Sequence, residues 1–233
     1  MASLSSSSSL GPVFSSQLWK YHVFLSFRGE DTRKTFVDHL YTALVQQGIF
    51  TYKDDETLPQ GESIGPSLVT AIEESQIAII IFSKNYADSS WCLDELVHIM
   101  KCKDTRDQIV MPIFYDVDPS EVRKQKGKYG EAFAKHELEK NTKVESWRKA
   151  LVDASNLSGW EPKHIANGHE SKCIETVVYT ISHRLRLIST SSVDDNLVGV
   201  EARMQDLISK LQIGFGGKRM IGIWGVGGGG GIE

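Results

Sequence analysis

Residues 77–82 read Ile-Ala-Ile-Ile-Ile-Phe, an apolar run with no polar residue at alternate positions. A strand with one wet face alternates. A strand that does not alternate is covered on both faces, the condition found inside a parallel sheet flanked by helices. The surrounding pattern agrees. Residues 21–27 (Tyr-His-Val-Phe-Leu-Ser-Phe) are aromatic and β-branched and predict a strand, as do 49–52 and 109–115. Pro112 donates no ladder bond, so the last of these is expected near an edge or at an irregularity. Between the strands, apolar residues recur at helical spacing: Phe36, Val37, Leu40, Ala43 and Leu44; Leu68, Val69 and Ile72; Leu93, Leu96, Val97 and Met100. Asp31 and Thr32 are candidate caps for the first helix, Gly48 its terminator, and Pro66 suits a first helical turn. Further helices are predicted at 128–139, 143–156, 171–187 and 201–211, and a buried strand at 220–224. Strands alternating with helices make this an α/β chain with a parallel sheet of about five strands. In such folds ligands bind beyond the carboxyl ends of the strands, so the loops 27–33, 53–63, 83–91 and 115–123 should meet on one rim.

Composition narrows the function classes. With 233 residues the chain holds one to two domains. Its 26 basic and 30 acidic residues leave a net charge of −4, which argues against a protein whose task is coating nucleic acid. No apolar run is long enough to span a bilayer, so no membrane partner is expected. Cys92, Cys102 and Cys173 are too few and too scattered for a disulfide framework or a zinc site, which fits a reducing compartment, cytoplasmic or nuclear. Residues 1–16 are serine-rich and uncharged, the composition of a disordered tail. A transit peptide is the alternative, but no arginine precedes Arg28. Ten of the 20 glycines lie from Gly214 onward.

Several clusters could carry chemistry. The turn Phe27-Arg28-Gly29-Glu30-Asp31-Thr32-Arg33 could receive a phosphate, or it is a solvated turn before a capped helix. In the stretch 83–95, Trp91 falls near the start of a helix and Glu95 about one turn further in, where the helix dipole favours a carboxylate. The plainer account is a helix-start acid beside a core tryptophan. Asp54, Asp55 and Glu56 look like a metal cluster but read more simply as a solvated loop, and no metal site is expected. Residues 124–128 form a short basic patch. No histidine pairs with a nucleophile or shows metal-ligand spacing.

Taken in order, the segments 21–33, Lys53-Asp54-Asp55, Leu58-Pro59-Gln60-Gly61, Ser83-Lys84-Asn85-Tyr86-Ala87, Trp91-Cys92-Leu93-Asp94-Glu95-Leu96 and 112–120 resemble a plant Toll/interleukin-1 receptor (TIR) domain. The resemblance covers about 20–187. It is closest in arrangement to the N-terminal part of TIR-type nucleotide-binding leucine-rich-repeat disease resistance proteins. It implies a flavodoxin-like TIR domain at 20–160 behind a tail at 1–19. A helical extension and linker at 161–192 would follow, then the start of an NB-ARC domain at 193–233. The resemblance also implies an activity, cleavage of the nicotinamide–ribose bond of NAD+ or NADP+. The products would be nicotinamide and ADP-ribose species, some cyclic, that signal in innate immunity and cell death. Glu95 would be catalytic. Phe27, Arg28, Gly29, Ser83 and Trp91 would border the substrate, and a loop with Asp54, Asp55, Pro59 and Gly61 would gate it. Self-association is implied as well, with the helices at 31–47 and 143–156 forming one contact between protomers, and so is pairing with other TIR receptors.

Three positions depart from the family pattern. In the implied self-association contact, which includes Asp38 and His39, Asp38 stands before His39 where a serine is common. His22 stands where an aspartate is usual. In the phosphate loop Gly225, Gly227, Gly228 and Gly230 fit, but Gly231 replaces the lysine and Ile232 the hydroxyl residue, and the chain stops at Glu233. Lysine contacts the β- and γ-phosphates and the hydroxyl holds Mg2+. The resemblance therefore implies a truncated NB-ARC start that binds neither ATP nor ADP, and no resident cofactor. A non-catalytic adaptor or decoy that pairs with full-length receptors is the alternative function.

Overall fold

The structure is a computed structural model that describes residues 19–53 and 65–191. Expectations for the serine-rich tail, the 54–64 loop, the helix at 201–211, the strand at 220–224 and the glycine run lie outside these residues.

Four strands form one parallel sheet in the order β2-β1-β3-β4. They are β1 (Tyr21–Phe27), β2 (Thr51–Lys53), β3 (Ser75–Phe82) and β4 (Ile109–Phe114). The unbroken apolar run is β3, paired on both sides. Its side chains divide between two cores as a pleated strand requires. Ile77, Ile79 and Ile81 join Val23 and Leu25 on one face, and Ala78, Ile80 and Phe82 join Phe24 on the other. The first face is covered by α2 (Asp38–Gln46), through Leu40 and Leu44, and by α8 (Glu170–Ser191), through Cys173, Ile174, Val177 and Ile181. The second is covered by α3 (Pro66–Glu73), α4 (Ser90–Arg106), α6 (Gly127–Leu138) and α7 (Val144–Ser155).

Local signals explain where several elements stop and start. Gly48 has φ +73° at the end of α2, a left-handed conformation that suits glycine. Ser89 caps α4 by accepting the Cys92 N–H at 3.3 Å. Between α1 (Gly29–Thr32) and α2 the chain widens into a π-type turn over Arg33–Val37, with Thr35 off helical geometry at φ −128°, ψ −106°. Neither Asp31 nor Thr32 caps a helix there, contrary to expectation. The Thr32 hydroxyl instead donates back to Arg28 O at 3.2 Å.

The described sheet has four strands, not about five. Where a fifth would add to β4, a single parallel bridge pairs Ile113 with Trp160. Trp160 N donates to Pro112 O at 3.0 Å and Phe114 N donates to Trp160 O at 2.8 Å. Extending this ladder one step either way needs an N–H from residue 112 or from residue 162, and both are prolines. Pro112 thus does sit on an edge strand, and with Pro162 it confines the fifth strand to one residue.

Candidate active site

Ser26 is the next-to-last residue of β1 and is fully buried on the α4 side of the sheet. A buried hydroxyl needs partners. Ser26 Oγ donates to Glu95 Oε2 at 2.7 Å and lies 3.0 Å from the Tyr86 hydroxyl. Tyr86 in turn donates to Cys92 O at 2.9 Å. Glu95 lies in the second turn of α4 and is only 7% exposed. A carboxylate is thus fixed just beyond the carboxyl ends of β1 and β3. Phenol and thiol neighbours stay protonated there. Burial pushes Tyr86 well above its ordinary value, and burial with the Glu95 charge pushes Cys92 to about 12. Cys92 Sγ contacts Phe27 O at 3.6 Å and offers no thiolate near neutral pH.

The β1–α1 turn and the loop after β3 are joined by one residue that local sequence reading assigned to capping. The Asp31 carboxylate accepts from Ser83 Oγ at 2.6 Å, Asn85 N at 3.0 Å and Asn85 Nδ2 at 3.1 Å. Arg28 Nε stands 3.8 Å from Asp31 Oδ1, and Arg28 Nη2 donates to Glu30 at 2.5 Å. From the far side, Tyr129 donates to Ser83 O at 2.9 Å. Ser26, Asp31 and Tyr86 stand inside the segments that carry the family resemblance, but motif reading gives them no role in the site. The bonds that tie them across the site span 52 to 69 residues, and nothing local marks those bonds.

The predicted site residues fall as follows. Phe27 and Arg28 adjoin Cys92 and Asp31, and Ser83 is buried with its hydroxyl committed to Asp31. Gly29 opens α1. A Cβ there would stand 2.9 Å from Arg33 Nε, whose guanidinium lies 5.2 Å from the centre of the Phe27 ring. Trp91 is half-buried at the second position of α4 and is not a core residue. These residues and Glu95 share the carboxyl edge of the sheet. Asp38 and His39 are exposed at the start of α2, away from that network, with Lys53 Nζ 3.3 Å from Asp38. His22 Nδ1 accepts the Phe50 N–H at 2.9 Å, a role an aspartate oxygen could also fill. Asp54, Asp55, Pro59 and Gly61 lie outside the described residues, as do Gly225, Gly227, Gly228, Gly230 and Gly231. Among the described residues no three His, Cys, Asp or Glu side chains are placed to hold a metal ion. No helix among them is long and apolar enough to cross a membrane. A cleft of about 450 Å³, lined by Glu73, His98, Lys101, Cys102, Thr105 and Arg106, opens at the other end of the sheet. It shares no residue with the Glu95 network, so chemistry is sought at the carboxyl edge.

Compared with known protein families, residues 20–200 match the TIR domain. Over 217 residues the chain is 50% identical to TMV resistance protein N of Nicotiana glutinosa, covering 92% of this chain and 19% of that protein. Over 209 residues it is 50% identical to Disease resistance protein RPV1 of Vitis rotundifolia, covering 89% and 15%. It thus spans about a fifth or less of the length of these relatives. Among solved structures it resembles the TIR domains of the activated Roq1 resistosome, which directly recognises the pathogen effector XopQ. There the identity is 52% and the TM-score 0.65, over 69% of this chain and 99% of that one.

Proposed function

The chain belongs to the TIR domain family, and from that premise we propose that it is an NAD(P)+ glycohydrolase that acts on self-association in plant immune signalling. The observation that carries this reading is Glu95, a buried carboxylate oriented by Ser26 at 2.7 Å beside the β1–α1 turn. Its chemistry suits the substrate. In NAD+ the leaving group is a pyridinium. When the C1′–N bond breaks, the electron pair stays with the ring nitrogen and nicotinamide departs neutral. No general acid is required, unlike the carboxyl pair of ordinary glycosidases. What remains is positive charge on an oxocarbenium-like ribose. One carboxylate that accepts from the ribose hydroxyls stabilises it electrostatically. Water then adds at C1′, giving ADP-ribose and a released proton. Addition of a hydroxyl or ring nitrogen of the same molecule instead gives a cyclic product. Arg28, Phe27 and Gly29 border the substrate from the β1 side, Ser83 and Trp91 from the β3–α4 side.

Names among the relatives support a role in disease resistance. The TIR domains of the Roq1 assembly support self-association, and pairing with other TIR receptors is proposed with it. A degenerate NB-ARC start at 193–233 that does not bind ATP or ADP stays part of the proposal, whereas the boundary at 160 sets apart a segment 161–192 whose α8 packs on the sheet and which falls within the family match at 20–200.

The test is direct. Concentrated protein is incubated with NAD+ and nicotinamide is measured. Release that falls about 10²–10³-fold in Glu95→Ala is expected. No release, or equal release from the variant, overturns the reading. A second reading follows from the same bond, since the Ser26–Glu95 contact also ties α4 to β1 without any turnover. On that reading the chain is an adaptor. It would release no nicotinamide yet bind a full-length TIR receptor and change its response.

A further inference from the structure

Glu95 is held from β1, and the residue before it is held from α7. Asp94 sits about 100° around α4 from Glu95. Both of its carboxylate oxygens are taken by α7 and the residue just before that helix. Trp147 Nε1 donates to Oδ1 at 2.9 Å, and Lys143 Nζ donates to Oδ2 at 2.8 Å. Trp147 is fully buried, and an indole has one N–H to satisfy and no acceptor. Its ring meets His136 edge-on with centroids 5.0 Å apart, and His136 Nε2 lies 2.9 Å from Ala87 O. A single side chain of α7 thus braces the first turns of α4 and, through His136, the loop that leads into them.

We infer that Trp147 and Lys143 are positioning residues for Glu95, clamping Asp94 so that α4 cannot turn about its own axis. This rests on the glycohydrolase reading of Glu95. From the sheet side α4 is held by Ser26 on Glu95, by Tyr86 on Cys92 O and by Cys92 on Phe27 O, and Asp94 is its tie to the other side, toward α7. Side chains ride about 5–6 Å from a helix axis, so a turn of about 10° moves the carboxylate by about 1 Å. A misplacement of about 1 Å costs a reaction about 100-fold. None of the three clamp side chains bonds Glu95, so the clamp acts on it through the α4 backbone.

The experiment uses the full chain, NAD+ as substrate, and three variants: Trp147→Phe, which keeps an aromatic ring and loses the N–H, Lys143→Met and Lys143→Arg. For the first two, kcat is expected to fall about tenfold or more with KM within about twofold. Hydrogen exchange at amides 90–96 should rise about tenfold while β1 and β3 amides stay protected. Lys143→Arg should restore both readouts. Unchanged kcat with unchanged exchange at 90–96 overturns the inference. So does a loss of kcat accompanied by equal loosening of β1 and β3, because that is general destabilisation. Should Trp147→Phe fail to fold, Lys143→Met reads the same clamp from its half-exposed end. Should the wild-type chain release no nicotinamide, the glycohydrolase reading falls, and exchange at 90–96 in the variants decides the clamp by itself.

Discussion

At the amino ends of the strands, polar side chains finish the backbone. Gln108 Nε2 donates to the carbonyls of Ile72 at 2.7 Å and Ser75 at 2.6 Å, and Ser75 Oγ donates to Ala71 O at 2.6 Å. The charged groups there are partly in water: Glu73 bonds His98 at 3.1 Å and Arg106 at 2.9 Å, and Lys20 Nζ stands 3.7 Å from Glu74. At the carboxyl ends the pattern reverses. Ser26 bonds Glu95, while Ser83 and Asn85 bond Asp31, so polar side chains meet one another in a largely water-excluded space. A hydrogen bond to a stray carbonyl is a sufficient reason for a buried glutamine. A buried carboxylate has no comparable structural necessity, since a well-packed apolar residue would often serve stability as well. On the proposed glycohydrolase reading, the difference separates an edge that closes the fold from an edge arranged for chemistry.

Four substitutions test that separation. Glu95→Gln keeps an acceptor for Ser26 but loses the charge. Nicotinamide release should fall about 10²–10³-fold while urea unfolding is little changed. An equally active variant would erase the distinction between the edges. Asp31→Ala strands the Ser83 hydroxyl and both Asn85 donors, so unfolding free energy should drop by about 2–3 kcal/mol, with a rise in KM for NAD+. At the other edge, Gln108→Leu should cost about 1 kcal/mol in chemical denaturation and leave kcat and KM alone. Glu73→Gln, which weakens a partly solvated pair, should change stability by less than about 1 kcal/mol, again without a kinetic effect. A kinetic defect in either amino-edge variant would break the comparison.

Much of this architecture is legible in the residues. β3 is announced by its lack of alternation, and the helical stripes name the faces that α2, α3 and α4 bury. Pro112 announces an edge. The short helix α5 (Pro119–Lys124) was read as loop, although its signals are present: Asp118 Oδ1 accepts the Ser120 N–H at 2.7 Å, and Pro119 occupies the first turn. Six residues are too few for a period to show. The fifth strand was over-counted because the residue 112 and residue 162 positions meet only in space. Glu95 was singled out by its motif and its place at a helix start, whereas its tie to Ser26 had no local sign. Asp31 was misassigned for the same reason, since Asp before a helix usually caps it, and here its carboxylate is drawn across to another loop.

The sequence by itself determined a doubly covered parallel sheet and the identity of its buried faces, because strand and helix periods are written in neighbouring residues. Only the tertiary structure decided which polar groups share the carboxyl edge. Ser26 reaches Glu95 across 69 residues and Ser83 reaches Asp31 across 52, and both meetings depend on β1 lying beside β3. That neighbour relation is a property of strand order, which no local period encodes.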